Sequence, residues 1–347
     1  MKRVRCFAKF LVMFFVGVFV LSGCSSRISS LSLGGSPQQD VVQNRLSQPN
    51  LDRLPQAQKL NTFQLSSDAY NDVVGHLAQT TIKRGDTLSE IAQRYDIGYE
   101  DLMRANPNLD PQNLQVGQKI LIPTMYILPP PDKRTGIVIN IPELRLYDFT
   151  QDDKVMIFPV ALGRQGWRTP VADTYVFRKE EKPTWHPPKS IRQHYQEKYG
   201  QELPRSIGPG PNNPLGKYAV YLHKSGYLIH GTNKPSSVGH FVSSGCIRMY
   251  AEDIQQVYQH VQQGTPVHII HSTNKAGWLD DALYLSAYQP VEHDDALYQI
   301  HHKSLAEVIS AAKKRRQQPI WISHGKKRKV KDLGYGIPTE IGYVLSS

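Results

Sequence analysis

The sequence predicts a mainly β-stranded domain, a β-sandwich or barrel, preceded by a small strand–helix–helix–strand unit. From residue 136 onward, many short apolar or alternating runs are separated by glycine and proline, which is typical of an all-β domain. Within residues 79–123, two short strand-like runs flank segments with a helical apolar period. Three consecutive prolines, Pro129–Pro131, predict a semi-rigid linker over residues 124–134.

The chain begins with the features of an export signal. A basic segment precedes an apolar run from Phe10 to Leu21, which is too short to cross a bilayer, so residues 1–23 are predicted to be a cleaved signal peptide. The residues Leu21-Ser22-Gly23-Cys24 resemble the lipobox of bacterial lipoproteins. That resemblance implies a lipid on Cys24 and a periplasmic protein anchored to the outer membrane. The alternative is ordinary secretory cleavage beside a coincidental cysteine.

Residues 24–78 are rich in Ser, Gln, Asn and Pro, so we expect a flexible tether there. Export also changes the cysteine count, because Cys6 leaves with the signal and Cys24 is consumed by lipid. Cys246 is then the sole thiol in an oxidising compartment. A single thiol in such a place is either an accident or a catalyst.

The formal net charge is +11, and much of it is concentrated near the C-terminus. Between Lys303 and Lys331 there are ten Lys or Arg residues and one acidic residue, Glu307. We therefore assign residues 272–347 to a C-terminal extension with a basic tail. An exported protein rarely meets nucleic acid, so we do not expect the basic tail to bind it. The tail is expected either to be attracted to anionic envelope polymers or simply to be solvated.

The small unit is organised around two predicted helices. Thr87 with Glu90 forms the pattern of a capping box, and Leu88, Ile91 and Ala92 fall on one helical face. A second helix is expected over 99–105, followed by Asn106-Pro107 and a closing strand near Ile122.

This unit resembles the LysM domain, on its Lys83-Arg-Gly-Asp-Thr-Leu88 opening and its Asn106-Pro-Asn108 and Leu121-Ile-Pro123 segments. The resemblance implies binding of N-acetylglucosamine polymers, here peptidoglycan, over residues 79–123. The implied contacts are Gly85, Asp86, Thr87, Asn106 and Pro107. The alternative is a unit that only spaces the chain.

The larger domain is predicted over residues 135–271. Strands are expected at 137–141, 144–147, 154–162, 173–179, 218–222, 227–230 and 265–271, and helices at 191–199 and 251–261.

One stretch of this domain has the parts of a nucleophilic site. His230 ends a short apolar run, and Cys246 follows downstream among small residues that include Gly231, Ser244 and Gly245. A thiol with an imidazole base is suited to covalent acyl transfer. A cysteine or histidine alone is more often inert, so the inference depends on their joint occurrence.

The domain resembles the L,D-transpeptidase catalytic domains of the YkuD family. The segments that carry the resemblance are Val160-Ala-Leu-Gly163, Trp167-Arg-Thr-Pro170, Gly210-Pro-Asn-Asn-Pro-Leu-Gly216, Ile229-His-Gly-Thr232 and Ser243-Ser-Gly-Cys-Ile-Arg-Met249. Many family members have histidine where this chain has Ser244, which leaves His230 as the base in the motif.

The resemblance implies a role for each motif residue. Cys246 is the nucleophile, His230 the general base and acid, and the Gly231 carbonyl orients His230. The backbone N–H groups of Gly245 and Cys246, with Ser244 as a further option, stabilise the oxyanion. Thr232, Ser243 and Arg248 bind substrate, and Arg248 is alternatively a brace for the loop.

The implied reaction attacks a peptidoglycan stem tetrapeptide and passes the acyl group to another stem, forming a 3-3 cross-link, or to a wall-anchored lipoprotein. Two alternatives stay open: hydrolysis by the same site, and a wall-binding scaffold without catalysis. No cofactor is expected, and the other histidines show no metal-ligand spacing.

Overall fold

The computed structural model describes residues 49–289 and 303–345. The predicted signal peptide and the lipidation candidate Cys24 lie outside these residues. Within the described ranges, no helix is both long and apolar enough to cross a membrane.

The strand–helix–helix–strand unit predicted over residues 79–123 is present in the structure. Its strands pair antiparallel, Thr80 opposite Ile120, and two helices lie between them in the chain. The Thr87 side chain accepts a hydrogen bond from the Glu90 N–H, and the Glu90 side chain accepts one from the Thr87 N–H, which completes the capping box. Leu88, Ile91 and Leu102 are buried in its core. The bounds are β3 (Ala78–Thr81), α1 (Leu88–Tyr95), α2 (Tyr99–Ala105) and β4 (Lys119–Ile122).

The predicted mainly β domain is confirmed, as a curled nine-stranded half-barrel. In sheet order its strands are β1 (Thr62–Gln64), β8 (Lys154–Pro159), β7 (Arg145–Phe149), β6 (Gly136–Asn140), β15 (Pro266–Ile270), β10 (Ala172–Glu181), β11 (Tyr218–Leu222), β12 (Leu228–His230) and β14 (Ile247–Arg248). A short pair, β9 (Leu162–Gly163) with β13 (Phe241–Ser243), lies beside it, and the helices are α3 (Lys189–Tyr199) and α4 (Ala251–His260).

A large apolar core packs against one face of the half-barrel. Alternate residues of the strands, such as Ile137 and Ile139 of β6, enter it. Ile254 and Val257 of α4 pack against the same cluster, so α4 closes one side of the sheet. This packing fixes β12 and β14, which carry the site, against a helix that begins directly after β14.

The prediction of a flexible tether over residues 24–78 is wrong for its described end. Residues 62–64 form β1, which adds to the catalytic sheet with Phe63 opposite Val155. Residues 73–75 form β2, which pairs with β5 (Met125–Ile127) inside the predicted linker. Both strands are three residues long, too short to show a period, and their partners are far away in the chain.

The described part of the C-terminal extension is a folded layer rather than a solvated tail. Four strands form a sheet in the order β16 (Asn274–Leu279), β17 (Ala282–Ala287), β19 (Thr339–Val344) and β18 (Ile320–Ile322). The helices α5 (Leu305–Arg316) and α6 (His324–Leu333) contribute Val308, Ile309 and Val330 to its core. The basic run at 313–316 therefore lies at the end of α5, and the basic run at 326–329 lies in α6.

Candidate active site

His230 and Cys246 are brought together by a parallel strand pair. In that pair Ile229 lies opposite Ile247, and His230 lies opposite Arg248. By the same register Cys246, which immediately precedes β14, lies beside Leu228. His230 is buried at 4% exposure, whereas Cys246 is partly exposed.

The imidazole is held in one tautomer by backbone carbonyls. Nδ1 of His230 lies 2.6 Å from the Gly231 oxygen, so the ring donates its Nδ1 proton there. The backbone of Leu215 provides a second hydrogen bond. Burial, reinforced by the Arg248 charge, lowers the pKa of His230 to about 3. The ring is therefore neutral at physiological pH, and its other nitrogen carries the lone pair that a base requires.

Gly231 suits this carbonyl role because it has no side chain. A Cβ on Gly231 would lie 3.3 Å from the Leu215 oxygen and 3.3 Å from Ile254 Cγ2. The bend after His230 is thus packed against backbone and against α4. This placement agrees with the role that the sequence resemblance implied for Gly231.

The Cys246 thiol is also neutral in this structure. Burial raises its pKa, and a backbone hydrogen bond from Leu228 and the Arg248 charge only partly oppose that effect. The sulfur lies 3.7 Å from the Gly226 oxygen. An unperturbed cysteine, with a pKa near 8.5, is about 3% thiolate at pH 7, so this one is ionised even less.

Ser243 lies under the nucleophile loop. Its hydroxyl donates to the Cys246 carbonyl at 2.5 Å and accepts the Gly245 N–H at 3.1 Å, and the residue is 1% exposed. The expected contact of Ser243 with substrate does not fit this position. The Gly245 N–H, expected as an oxyanion donor, is already engaged here.

Thr169 fixes the loop from the other side and was missed as a site residue in the sequence. Its hydroxyl donates to the Gly245 carbonyl at 2.8 Å and accepts the Gly163 N–H at 3.0 Å, and it is 1% exposed. The available signal was the threonine within the Trp167–Pro170 motif. Because Gly245 adopts φ +104°, only glycine meets both the hydroxyl contact and the turn without strain.

Ser244 and Thr232 face partly outward. Arg164 donates to Ser244 Oγ and to the Ser243 carbonyl, each at 3.3 Å, so it holds the outer side of the loop. The Thr232 hydroxyl accepts the Lys234 N–H at 3.0 Å and organises the turn after His230.

Arg248 is the cation of the site. Its backbone pairs with Ala161 on one side and with His230 on the other. Burial lowers the pKa of its guanidinium, and no carboxylate of the described residues forms an ion pair with it. A half-buried cation near the thiol is suited to a substrate carboxylate.

The LysM contact candidates fall into two groups. Gly85, Thr87 and Pro107 are exposed at the end of the unit where α1 begins and α2 stops. The carboxylate of Asp86 pairs with Arg94 at 2.5 Å and accepts the Lys83 N–H, so it orders the loop. The buried Asn106 amide bonds the backbone of Leu102 and Leu121, which makes a direct sugar contact by its side chain incompatible with this structure.

The neutral state of both groups gives a testable pH dependence. A lowered His230 pKa and a raised Cys246 pKa mean that no thiolate–imidazolium pair exists between them at neutral pH. We expect the rate of Cys246 alkylation by iodoacetamide to rise continuously from pH 6 to beyond pH 9. A preformed ion pair would instead give a rate plateau across that range. Peptide mapping of the alkylated protein at each pH reports the rate at Cys246 alone.

The comparisons with known proteins identify the families of both domains. A model of the L,D-transpeptidase catalytic domain matches residues 134–269, and a LysM domain model matches residues 80–123. The chain is 36% identical over 236 residues to the probable L,D-transpeptidase ErfK/SrfK of Escherichia coli, covering 67% of this chain and 75% of that protein.

Two further similarities extend the comparison. The probable L,D-transpeptidase YbiS of Escherichia coli is 35% identical over 243 residues, covering 69% of this chain and 78% of that protein. The catalytic domain of an Enterococcus faecium L,D-transpeptidase acylated by ertapenem is 20% identical, with a TM-score of 0.31, over 39% of this chain and 96% of that one. The chain belongs to the L,D-transpeptidase family, cysteine-dependent acyltransferases of the peptidoglycan envelope, and joins a YkuD-type catalytic domain to a LysM domain.

Proposed function

We propose that this enzyme transfers the acyl group of a peptidoglycan stem tetrapeptide to an amine through a thioester on Cys246. The observation that carries the proposal is the neutral His230, held as its Nδ1 tautomer on the strand beside the partly exposed thiol. A neutral base next to a neutral thiol is suited to deprotonation during attack, when the carbonyl is already bound.

The proposed first half-reaction forms the thioester. The Cys246 sulfur attacks the carbonyl of the diamino acid at position three while its proton passes to His230. The bond to the terminal D-alanine then breaks, and His230 returns the proton to the leaving amine. In the second half-reaction an acceptor amine attacks the thioester and gives a proton to His230. The C–S bond then breaks, and His230 passes that proton to the departing Cys246 sulfur, which restores the neutral thiol and the neutral imidazole.

The oxyanion and the substrate carboxylate need separate donors. The Gly245 N–H is bonded to Ser243, so our proposal gives the oxyanion to the Cys246 N–H, with Ser244 beside it. Arg248, without an ion-pair partner among the described residues, is proposed to hold a stem carboxylate. Ser243 and Thr169 then act as positioning residues for the loop.

The predicted lipid on Cys24 would specify where in the cell envelope the enzyme lies. We propose that Cys24 carries a lipid that anchors the enzyme to the outer membrane, so that LysM and the active site face the peptidoglycan layer. The lipobox resemblance of residues 21–24 supports this anchor. Incorporation of radiolabelled palmitate into the wild type but not into Cys24→Ser tests it.

Analysis of the products identifies which acceptor receives the acyl group. Incubated with disaccharide tetrapeptide alone, the wild-type enzyme is expected to release D-alanine and form a 3-3 cross-linked dimer, detected by mass spectrometry. A second incubation adds a peptide ending in the C-terminal lysine of a wall-anchored lipoprotein. A tetrapeptide–lysine conjugate in that arm identifies lipoprotein attachment. Release of D-alanine with only the free tripeptide as product would contradict transfer and indicate hydrolysis.

A further inference from the structure

The LysM unit touches the loop that joins the base to the nucleophile. This loop, residues 231–243, leaves β12 after His230, passes through a short helical turn at Pro235–Ser237, and returns as β13. Helix α1 packs against that turn. The LysM unit is therefore in contact with the catalytic loop as well as available to bind glycan.

Two glycines lie close together where the unit meets this loop. Gly239 adopts φ +85°, and a Cβ there would lie 2.8 Å from Gly98 Cα and would also overlap the Tyr99 nitrogen. Gly98 is the residue that caps α2. The backbones of the two domains thus meet directly, in a contact that leaves no room for a side chain.

The next residues add specific contacts. The rings of Tyr99 and His240 have centroids 4.6 Å apart, and His240 Nδ1 lies 3.2 Å from Glu100 Oε1. Close to this contact, the buried Asp96 of the LysM unit faces Asp253 of α4, and burial together with Asp96 raises the pKa of Asp253 well above its usual value. The positive charge of Lys59 partly offsets the charge of this acidic pair, and Lys59 also forms an ion pair with Glu252 at 3.3 Å.

A short path leads from these contacts to the thiol. The His240 carbonyl accepts the Leu162 N–H at 3.1 Å, and the Gly239 N–H donates to the Val160 carbonyl at 3.2 Å. Three residues after His240, Ser243 makes the 2.5 Å hydrogen bond to the Cys246 carbonyl. His240 is therefore connected through β13 to the turn that carries the thiol.

The two ends of the LysM unit therefore have different partners. The α1–α2 corner, at residues 96–100, meets the catalytic domain, whereas the exposed glycan-contact candidates Gly85, Thr87 and Pro107 lie at the opposite end. Bound glycan at that end does not compete with the contact at the corner.

We propose that the α1–α2 corner of the LysM unit, through Tyr99 and Glu100, positions the catalytic loop and is required for full reactivity of Cys246, independently of glycan binding. This rests on the proposed function only in that Cys246 is the nucleophile. Tyr99 and Glu100 are positioning residues, since neither reaches the reacting atoms.

The test measures Cys246 with small reagents that need no polymer. The full chain, the double variant Tyr99→Ala/Glu100→Ala, and the conservative Tyr99→Phe/Glu100→Gln are each reacted with a carbapenem, and acylation is followed by intact mass. A matched control, Arg84→Ala/Asn108→Ala, changes two exposed residues at the far end of the same unit. Thermal unfolding verifies that every variant is folded at the assay temperature.

We expect the double variant Tyr99→Ala/Glu100→Ala, the alanine pair, to have a maximal acylation rate about 10- to 100-fold below that of wild type. A small misplacement of a catalytic group typically causes a loss of this size. The conservative pair and the control should react like wild type. Wild-type rates in the folded alanine pair, or equal slowing in the conservative pair, would overturn the proposal.

Iodoacetamide alkylation of Cys246 in the same four proteins distinguishes failure of the proposed function from failure of the positioning role. If the carbapenem does not acylate wild type, the proposed function fails. The alkylation rates still show whether the α1–α2 corner affects the reactivity of Cys246. Slower alkylation in the alanine pair alone supports the positioning role, and equal alkylation in all four proteins refutes it.

Discussion

Replacing Cys246 with alanine is expected to lower D-alanine release from disaccharide tetrapeptide by about 10⁴-fold or more, as removal of the nucleophile does in covalent enzymes. The reason is that the acyl intermediate is a thioester, and Cys246 carries the only free thiol among the described residues. Release is measured by mass spectrometry under conditions in which wild type completes many turnovers.

Val242→Ala is the control for this loss, because Val242 lies on the same loop and is 39% exposed. It should release D-alanine at the wild-type rate. Substantial release by Cys246→Ala in a folded protein would contradict the assignment of the nucleophile.

The second large effect is expected at Arg145, which joins the three parts of the fold. We expect Arg145→Met to lower the free energy of unfolding by about 3–5 kcal/mol, the cost of leaving a buried charge without its partner. Urea titration followed by tryptophan fluorescence measures the change.

The contacts of Arg145 explain this size. It pairs with Asp101 of α2 at 2.5 Å, where each side chain is 7% exposed, and donates to the Tyr288 hydroxyl at 3.2 Å. Its guanidinium also lies 4.4 Å from the ring centroid of Tyr126. Methionine keeps the apolar stem but leaves Asp101 with only the more distant Arg104, at 3.3 Å.

Arg178→Met is the matched control. Arg178 pairs with Glu180 at the same 2.5 Å, but the side chains are 50% and 36% exposed. Exposed pairs contribute about 0–1 kcal/mol, so the loss here should be small. Equal losses in the two variants would show that burial does not set the value of the Arg145 pair.

The sequence predicted best those features whose causes are local. The capping box of Thr87 and Glu90 and the apolar face of α1 are contained within one or two turns, so they were visible in the sequence. A short motif carries each of His230, Gly231 and Cys246, so the sequence could name them, and the structure brings them together. The structure adds their tautomer and neutral charge state, which depend on burial.

The features that were missed depend on distant partners. β1 pairs with β8, and β2 pairs with β5, so neither had a local signal. The four-stranded C-terminal sheet joins β17 to β19 across a long segment of the chain. Ser243 was assigned to the substrate because its neighbours form the site, whereas its burial beneath Gly245 follows only from the folded loop. Thr169 is similar, since its role appears only when β9 and the nucleophile loop meet.

The mass of the enzyme during turnover tests the covalent role of Cys246 most directly. Wild type in molar excess, mixed with disaccharide tetrapeptide and quenched in acid within a single turnover, should gain the mass of the substrate minus D-alanine, and peptide mapping should place that gain on Cys246 as a hydroxylamine-sensitive thioester. An unmodified enzyme that nonetheless releases D-alanine, or an adduct on any other residue, would contradict it.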